Sequence, residues 1–177
     1  MKKYLFLLLF ALTMGFFACK DDDDNNGTEQ ELITTVVLHF TGPGVDQEFE
    51  FEDLDGAGGN NPTTDTIVLP PLTGNLRCHI HVYDRSKTPV EDITEEIEAE
   101  ADEHLFVFNV SGPDMGFVYD DADSKGAPIG IETIWTTDQP SVGNLRVTLY
   151  HEPTNKGNLS DPGGDVDVEV TFPVVIK

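Results

Sequence analysis

Asp121, Asp123, Lys125, Gly126 and Glu132 fall at positions 1, 3, 5, 6 and 12 of a loop with calcium-binding spacing. In such a loop alternate oxygens wrap the ion, a glycine makes the sharp turn and a final glutamate can bind through both oxygens. Lys125 departs from the pattern, because an ammonium offers no lone pair and repels a cation. A looser version lies upstream, where Asp53, Asp55, Asn60 and Asp65 punctuate a Gly-rich stretch, and a third acidic turn holds Asp161, Asp165 and Asp167. The same residue types also serve plain β-turns, since Asx side chains cap turns and glycine accepts positive φ. Ca²⁺ is the cofactor these spacings nominate, with Asp121, Asp123 and Glu132 as one ligand set and Asp53 and Asp55 as a second.

His79 and His81 offer a different chemistry. Residues two apart on a strand share a face, so Arg77, His79, His81 and Tyr83 point one way while Leu76, Cys78, Ile80 and Val82 point the other. The apolar set belongs to the core. The two outer imidazoles would chelate Zn²⁺ or Cu²⁺, or serve haem capture, if a neighbouring strand supplied a third ligand. His39, His104 and His151 are separated from one another in sequence and form no motif. Trp135 reads as a core residue, because a lone Trp in a sandwich packs between the sheets; its other reading is a stacking platform for sugars. No G-x-S-x-G elbow, H-E-x-x-H, P-loop or dinucleotide fingerprint is present, and Cys78 and His79 face opposite sides, so a non-catalytic role is expected.

The elements that must position these groups are mostly strands. Short β-type runs cover 33–41, 47–52, 66–69, 75–84, 105–110, 116–119, 131–137 and 144–152, a last one covers 165–176, and turns rich in Gly, Pro, Asp and Asn separate them. A weak duplication underlies the runs. Gly42-Pro43 matches Gly112-Pro113, Asp53-x-Asp55 matches Asp121-x-Asp123, and Gly74-Asn75-Leu76-Arg77 matches Gly143-Asn144-Leu145-Arg146, at offsets of 70, 68 and 69 residues. The expectation is an all-β fold: an antiparallel sandwich of eight or nine strands, immunoglobulin-like or a related Greek key, from repeats over 33–84 and 104–152. Between the copies, Thr88 as cap, Pro89 at the first position and Glu91 closing a capping box predict an acidic helix over 89–101. Ile93, Ile97 and Ala101 form its apolar stripe, and eight carboxylates without a basic partner make it marginal.

Charge and leader narrow the function. The net charge is −23, and loss of residues 1–18, which hold two lysines and no acids, would leave −25. Nucleic acid is excluded as a partner, because binding phosphates needs clustered Lys and Arg and the few here are scattered. Lys2 and Lys3, the apolar run 4–12 and Phe17-Ala18-Cys19 resemble a bacterial lipoprotein signal. That resemblance implies cleavage after residue 18, lipid on Cys19, and a membrane attachment without a transmembrane helix. Lys20, Asp21 and Asp22, directly after the cysteine, are similar to the signal that exports Bacteroidota lipoproteins to the outer face of the outer membrane. Residues 19–31 then read as a polar tether, and 32–177 as one domain. With Cys19 lipidated, Cys78 has no partner for an intrachain disulfide.

From Leu32 onward, the β-runs together with DLDGAGGN, PVEDITEEIEAEADEHLF, DADSKG and the closing DVDVEVTFPV resemble a family of small, functionally unassigned Bacteroidota surface lipoproteins. Some members carry a type 1 periplasmic binding fold label, whose alternating helices this helix-poor chain does not show. The family brings no catalytic residues with it. The expectation is therefore a surface-exposed, lipid-anchored binding or accessory module for an outer-membrane transporter or an extracellular ligand. Metal or haem capture through His79 and His81, and a calcium-stabilised structural or adhesion protein, are the alternatives.

Overall fold

The computed structural model describes residues 32–56 and 58–177. Cys19, Lys20, Asp21 and Asp22, the leader and the tether lie outside the described residues.

All nine predicted runs are strands. In chain order the elements are β1 (Thr35–Gly42), β2 (Val45–Glu52), β3 (Thr63–Thr64), β4 (Ile67–Leu69), β5 (Thr73–Asp84), β6 (Glu91–Asp92), helix α1 (Thr94–Ala99), a 3₁₀ turn (Ala101–Glu103), β7 (His104–Ser111), β8 (Met115–Tyr119), β9 (Glu132–Thr137), β10 (Ser141–His151) and β11 (Asp165–Ile176). The first sheet runs β3-β2-β1-β5-β9-β8 with β6 on the far end of β5, and the second runs β4-β11-β10-β7. Pairing is antiparallel except between β4 and β11, which makes the second sheet mixed.

Alternation explains the layering. Leu38, Phe40, Leu76, Cys78 and Ile80 of the first sheet and Phe106, Leu145, Val147, Phe172 and Val174 of the second are sealed from solvent within one core. Burying a side chain of this class contributes about 1.5–3 kcal/mol. Trp135 is fully buried, edge-on to Phe40 and Phe108 at 5.9 and 5.5 Å and stacked on Phe117 at 4.7 Å. Its indole N–H donates to Thr133 Oγ1 at 2.8 Å, so the core holds no orphaned donor there.

The duplication survives in the central pairs. β1 lies antiparallel to β5 as β7 does to β10, yet Arg77 faces Thr41 whereas Arg146 faces Asn109. Counted from each Gly-Pro, the second register has slipped by two residues, a slip that keeps every side chain on its own face. The copies part at their second strand, since β2 stays beside β1 while β8 crosses to the opposite sheet.

The helix is shorter than predicted. Glu91 and Asp92 pair with Asp84 and Tyr83 as strand β6, and α1 begins only after Ile93, whose N–H donates to Val82 O at 3.0 Å. Thr88, Pro89 and Glu91 therefore form no capping box; tertiary pairing with the edge of β5 wins over the local signal. The stripe itself holds, with Ile93 and Ile97 buried and Ala101 partly so.

Candidate functional site

The core-facing row of the second sheet ends in histidine. Facing pairs run Val147 with Phe108, Leu149 with Phe106, and then His151 with His104. Side chains two apart share a face, so both imidazoles are aimed into the space between the sheets at one end of the sandwich. His104 is 6% exposed, and the two rings stack at 4.9 Å and 25°.

A register shift supplies the third group. β10 and β11 pair Leu149 with Val168 and then Tyr150 with Val166, leaving Asp167 as the extra residue of a bulge. Bulges re-aim side chains, and this one turns Asp167 toward His151, its Oδ1 3.8 Å from Nδ1. Gly164 sets the approach of β11: its φ is +82°, and a Cβ there would stand 2.2 Å from His151 O. One ligand atom from each of His104, His151 and Asp167 lies within 4.8 Å of the other two.

Helix α1 roofs this group and closes a pocket of about 260 Å³. Ile33, Ile93, Ile97 and Leu149 form its apolar wall, and Glu96, Glu100, Glu103, His104, His151 and Asp167 its polar one. No lysine or arginine is among the lining residues. His104 Nδ1 lies 3.2 Å from the Glu100 carbonyl. A carbonyl only accepts, so Nδ1 carries a proton, and in the neutral ring the lone pair is on Nε2.

The residues singled out by spacing go elsewhere. Asp121 is consumed by backbone: its Oδ1 accepts from Gly130 N at 2.8 Å and Ile129 N at 3.3 Å, its Oδ2 from Glu132 N at 2.8 Å. Asp123 faces the Lys156 ammonium at 2.9 Å and accepts from the N–H groups of Lys125 and Ala127. Burial pushes the Asp123 pKa up, but Lys156 and those N–H groups outweigh it and hold the carboxyl below its ordinary value. Glu132 points to the outer face and binds His79 Nδ1 at 2.6 Å. The three thus have separate partners. Asp55 accepts from the Asn60 backbone and side-chain amides at 2.6–3.2 Å, and Asp53 is partly buried beside it.

His79 and His81 lie where alternation put them, side by side on the outer face with ring centroids 4.3 Å apart. His39 faces His79 across the β1–β5 pair and binds Asp46 at 2.8 Å. Burial, then the neighbouring His79, lowers the pKa of His81. Among the described residues, the sets of three metal-capable side chains are His104, His151, Asp167 and Glu103, His151, Glu152, and neither includes this pair. The readable sign of the pocket was phase: 104 keeps step with 106 and 108, and 151 with 147 and 149, so two histidines that share no motif share a core face.

No family model, no curated protein and no solved structure matches this chain.

Proposed function

We propose that the chain is a lipid-anchored, non-catalytic binding module of the bacterial outer surface, and that its ligand is cationic and enters the pocket under α1. The address rests on the leader and Cys19 with Lys20, Asp21 and Asp22. The binding reading rests on one observation: the pocket collects Glu96, Glu100, Glu103 and Asp167 around an apolar wall with no lysine or arginine among its lining residues. Glu96 on α1 and Glu100 at its C-cap are four residues apart on adjoining turns and repel one another, a cost that an incoming cation relieves. A concave site with an apolar wall and a few convergent polar groups is the usual form of a small-ligand site.

Calorimetric titration of the full chain in detergent, with spermidine and with Zn²⁺ as probes, tests the binding. Saturable binding of at least one probe, weakened by Glu96→Gln with Glu100→Gln and not by Glu95→Gln with Glu98→Gln on the open side of the helix, supports the pocket. Failure of both probes to saturate removes it. The address is tested by Cys19→Ala, which should leave the membrane fraction; a variant that still sorts with membrane lipoproteins contradicts the anchor.

A further inference from the structure

We infer that His104, His151 and Asp167 bind a divalent transition-metal ion of the Zn²⁺ class at the inner end of the pocket. The inference rests on the cation-accepting reading of that pocket and names its ligand.

Three strands deliver the three groups, and the chain departs from regular pairing to bring the third. Asp167 reaches the pair only because the β10–β11 ladder gains a residue at the bulge. A mere turn acid has no need of that. Next, the tautomer is set. With Nδ1–H of His104 directed at the Glu100 carbonyl, Nε2 presents its lone pair, the arrangement by which ligating histidines are oriented in metal sites. The spacing is that of ligands sharing an ion: tetrahedral bonds of about 2.0–2.1 Å to nitrogen put neighbouring ligand atoms roughly 3.3 Å apart. His151 Nδ1 and Asp167 Oδ1 stand at 3.8 Å, long for a hydrogen bond and about half an ångström from that value. Small side-chain motions close the remaining distance.

The donor set selects the ion. Two imidazoles with one carboxylate suit Zn²⁺, Cu²⁺ or Ni²⁺, whereas Ca²⁺ and Mg²⁺ require mainly oxygen ligands. Three protein ligands leave a coordination position open toward the pocket, and the side chains of Glu96, Glu100 and Glu103 at its rim raise the local cation concentration. The alternative is a structural stack of two imidazoles, and it predicts no dependence on metal.

The full chain in detergent, stripped with a chelator, is titrated with Zn²⁺ against a chromogenic competitor and with Co²⁺ by visible absorption. One equivalent should bind, with Co²⁺ d–d bands of a low-coordinate nitrogen–oxygen site. His151→Gln and Asp167→Asn should each weaken binding at least about tenfold, since loss of even a partner hydrogen-bonded to a ligand costs that much. His79→Gln with His81→Gln should leave it unchanged. Melting of the metal-free variants checks folding, and the near-isosteric Asp167→Asn carries the test if His151→Gln does not fold. Stoichiometric Zn²⁺ that survives both pocket variants, or is lost in the His79/His81 variant, overturns the site. Spermidine binding without Zn²⁺ binding overturns the metal and leaves the cation pocket standing; failure of both removes both.

Discussion

Lys156 holds its ammonium 2.9 Å from Asp123 Oδ2, with 6% and 2% of the two side chains exposed. Asp123 is the third position of the loop whose spacing nominates calcium, and the cation it faces is supplied by the chain itself. The same ammonium donates to the Ala101 carbonyl, so one side chain from the 152–164 segment ties the acidic loop to the 3₁₀ turn beside the pocket.

Removing one partner of this pair strands a buried charge. Lys156→Met is expected to cost about 3–5 kcal/mol, and adding Asp123→Asn should recover part of it. Urea unfolding of the single and double variants measures both; a single variant within 1 kcal/mol of wild type would show that the pair is not sealed.

Asp123 also gives stability an acid limb. Its folded pKa lies below the ordinary aspartate value of 3.8, so its contribution is present above that pH and fades as pH falls toward the folded value. Melting followed from pH 5 downward should be steeper for wild type than for the Asp123→Asn/Lys156→Met variant.

Calcium at this loop would have to displace Lys156. Millimolar Ca²⁺ is expected to leave the melting temperature of the chelator-treated chain unchanged. A rise that disappears in Asp121→Asn would reinstate the loop as a calcium site.

His81 holds its proton less tightly than an exposed imidazole does. Its pKa is lowered by burial and by His79 and His39, against the opposing pull of Asp92 and Glu48. The unfolded chain therefore takes up the proton first, and stability falls as pH drops below about 6.5, the unperturbed value. His81→Asn should flatten that part of a stability–pH curve, whereas an unaltered slope assigns it elsewhere.

Gly164→Ala tests how tightly β11 is seated. A Cβ at φ +82° and 2.2 Å from the His151 carbonyl forces the turn away from the pocket. A loss of about 1–3 kcal/mol is expected by denaturant unfolding, in the range for a side chain held in sparsely allowed backbone space.

Cys78 should be inert. Burial pushes its thiol far above the ordinary value, and the side chain is fully enclosed. Ellman's reagent should therefore label it only on unfolding; rapid labelling of the folded chain would contradict the enclosure.

The strand order of burial was largely legible in the chain. Alternation told Leu76, Cys78, Ile80 and Val82 from Arg77, His79, His81 and Tyr83, because a period of two is a local property of extended backbone. The stripe of Ile93 and Ile97 was legible for the same kind of reason. The helix start was not: Glu91 and Asp92 carry a capping signal that competes with pairing to β5, and only the position of that edge decides between them.

Loop spacing misled where it implied convergence. Asp121, Asp123 and Glu132 keep calcium-like intervals, yet Asp121 caps backbone, Asp123 meets Lys156 and Glu132 turns out to His79. Intervals along the chain measure reach and leave direction open; direction here depends on which strand lies alongside.

By itself, the sequence determined the acidic charge, the all-β layering and the outward face of His79 and His81, each a consequence of composition or local period. Tertiary structure alone decided the pocket. His104, His151 and Asp167 are remote from one another along the chain, apart from the short hop from β10 to β11, and meet through the β7–β10 register and a bulge. Register is set by summing packing over whole strands, so no single segment contains the information that places these three side chains together.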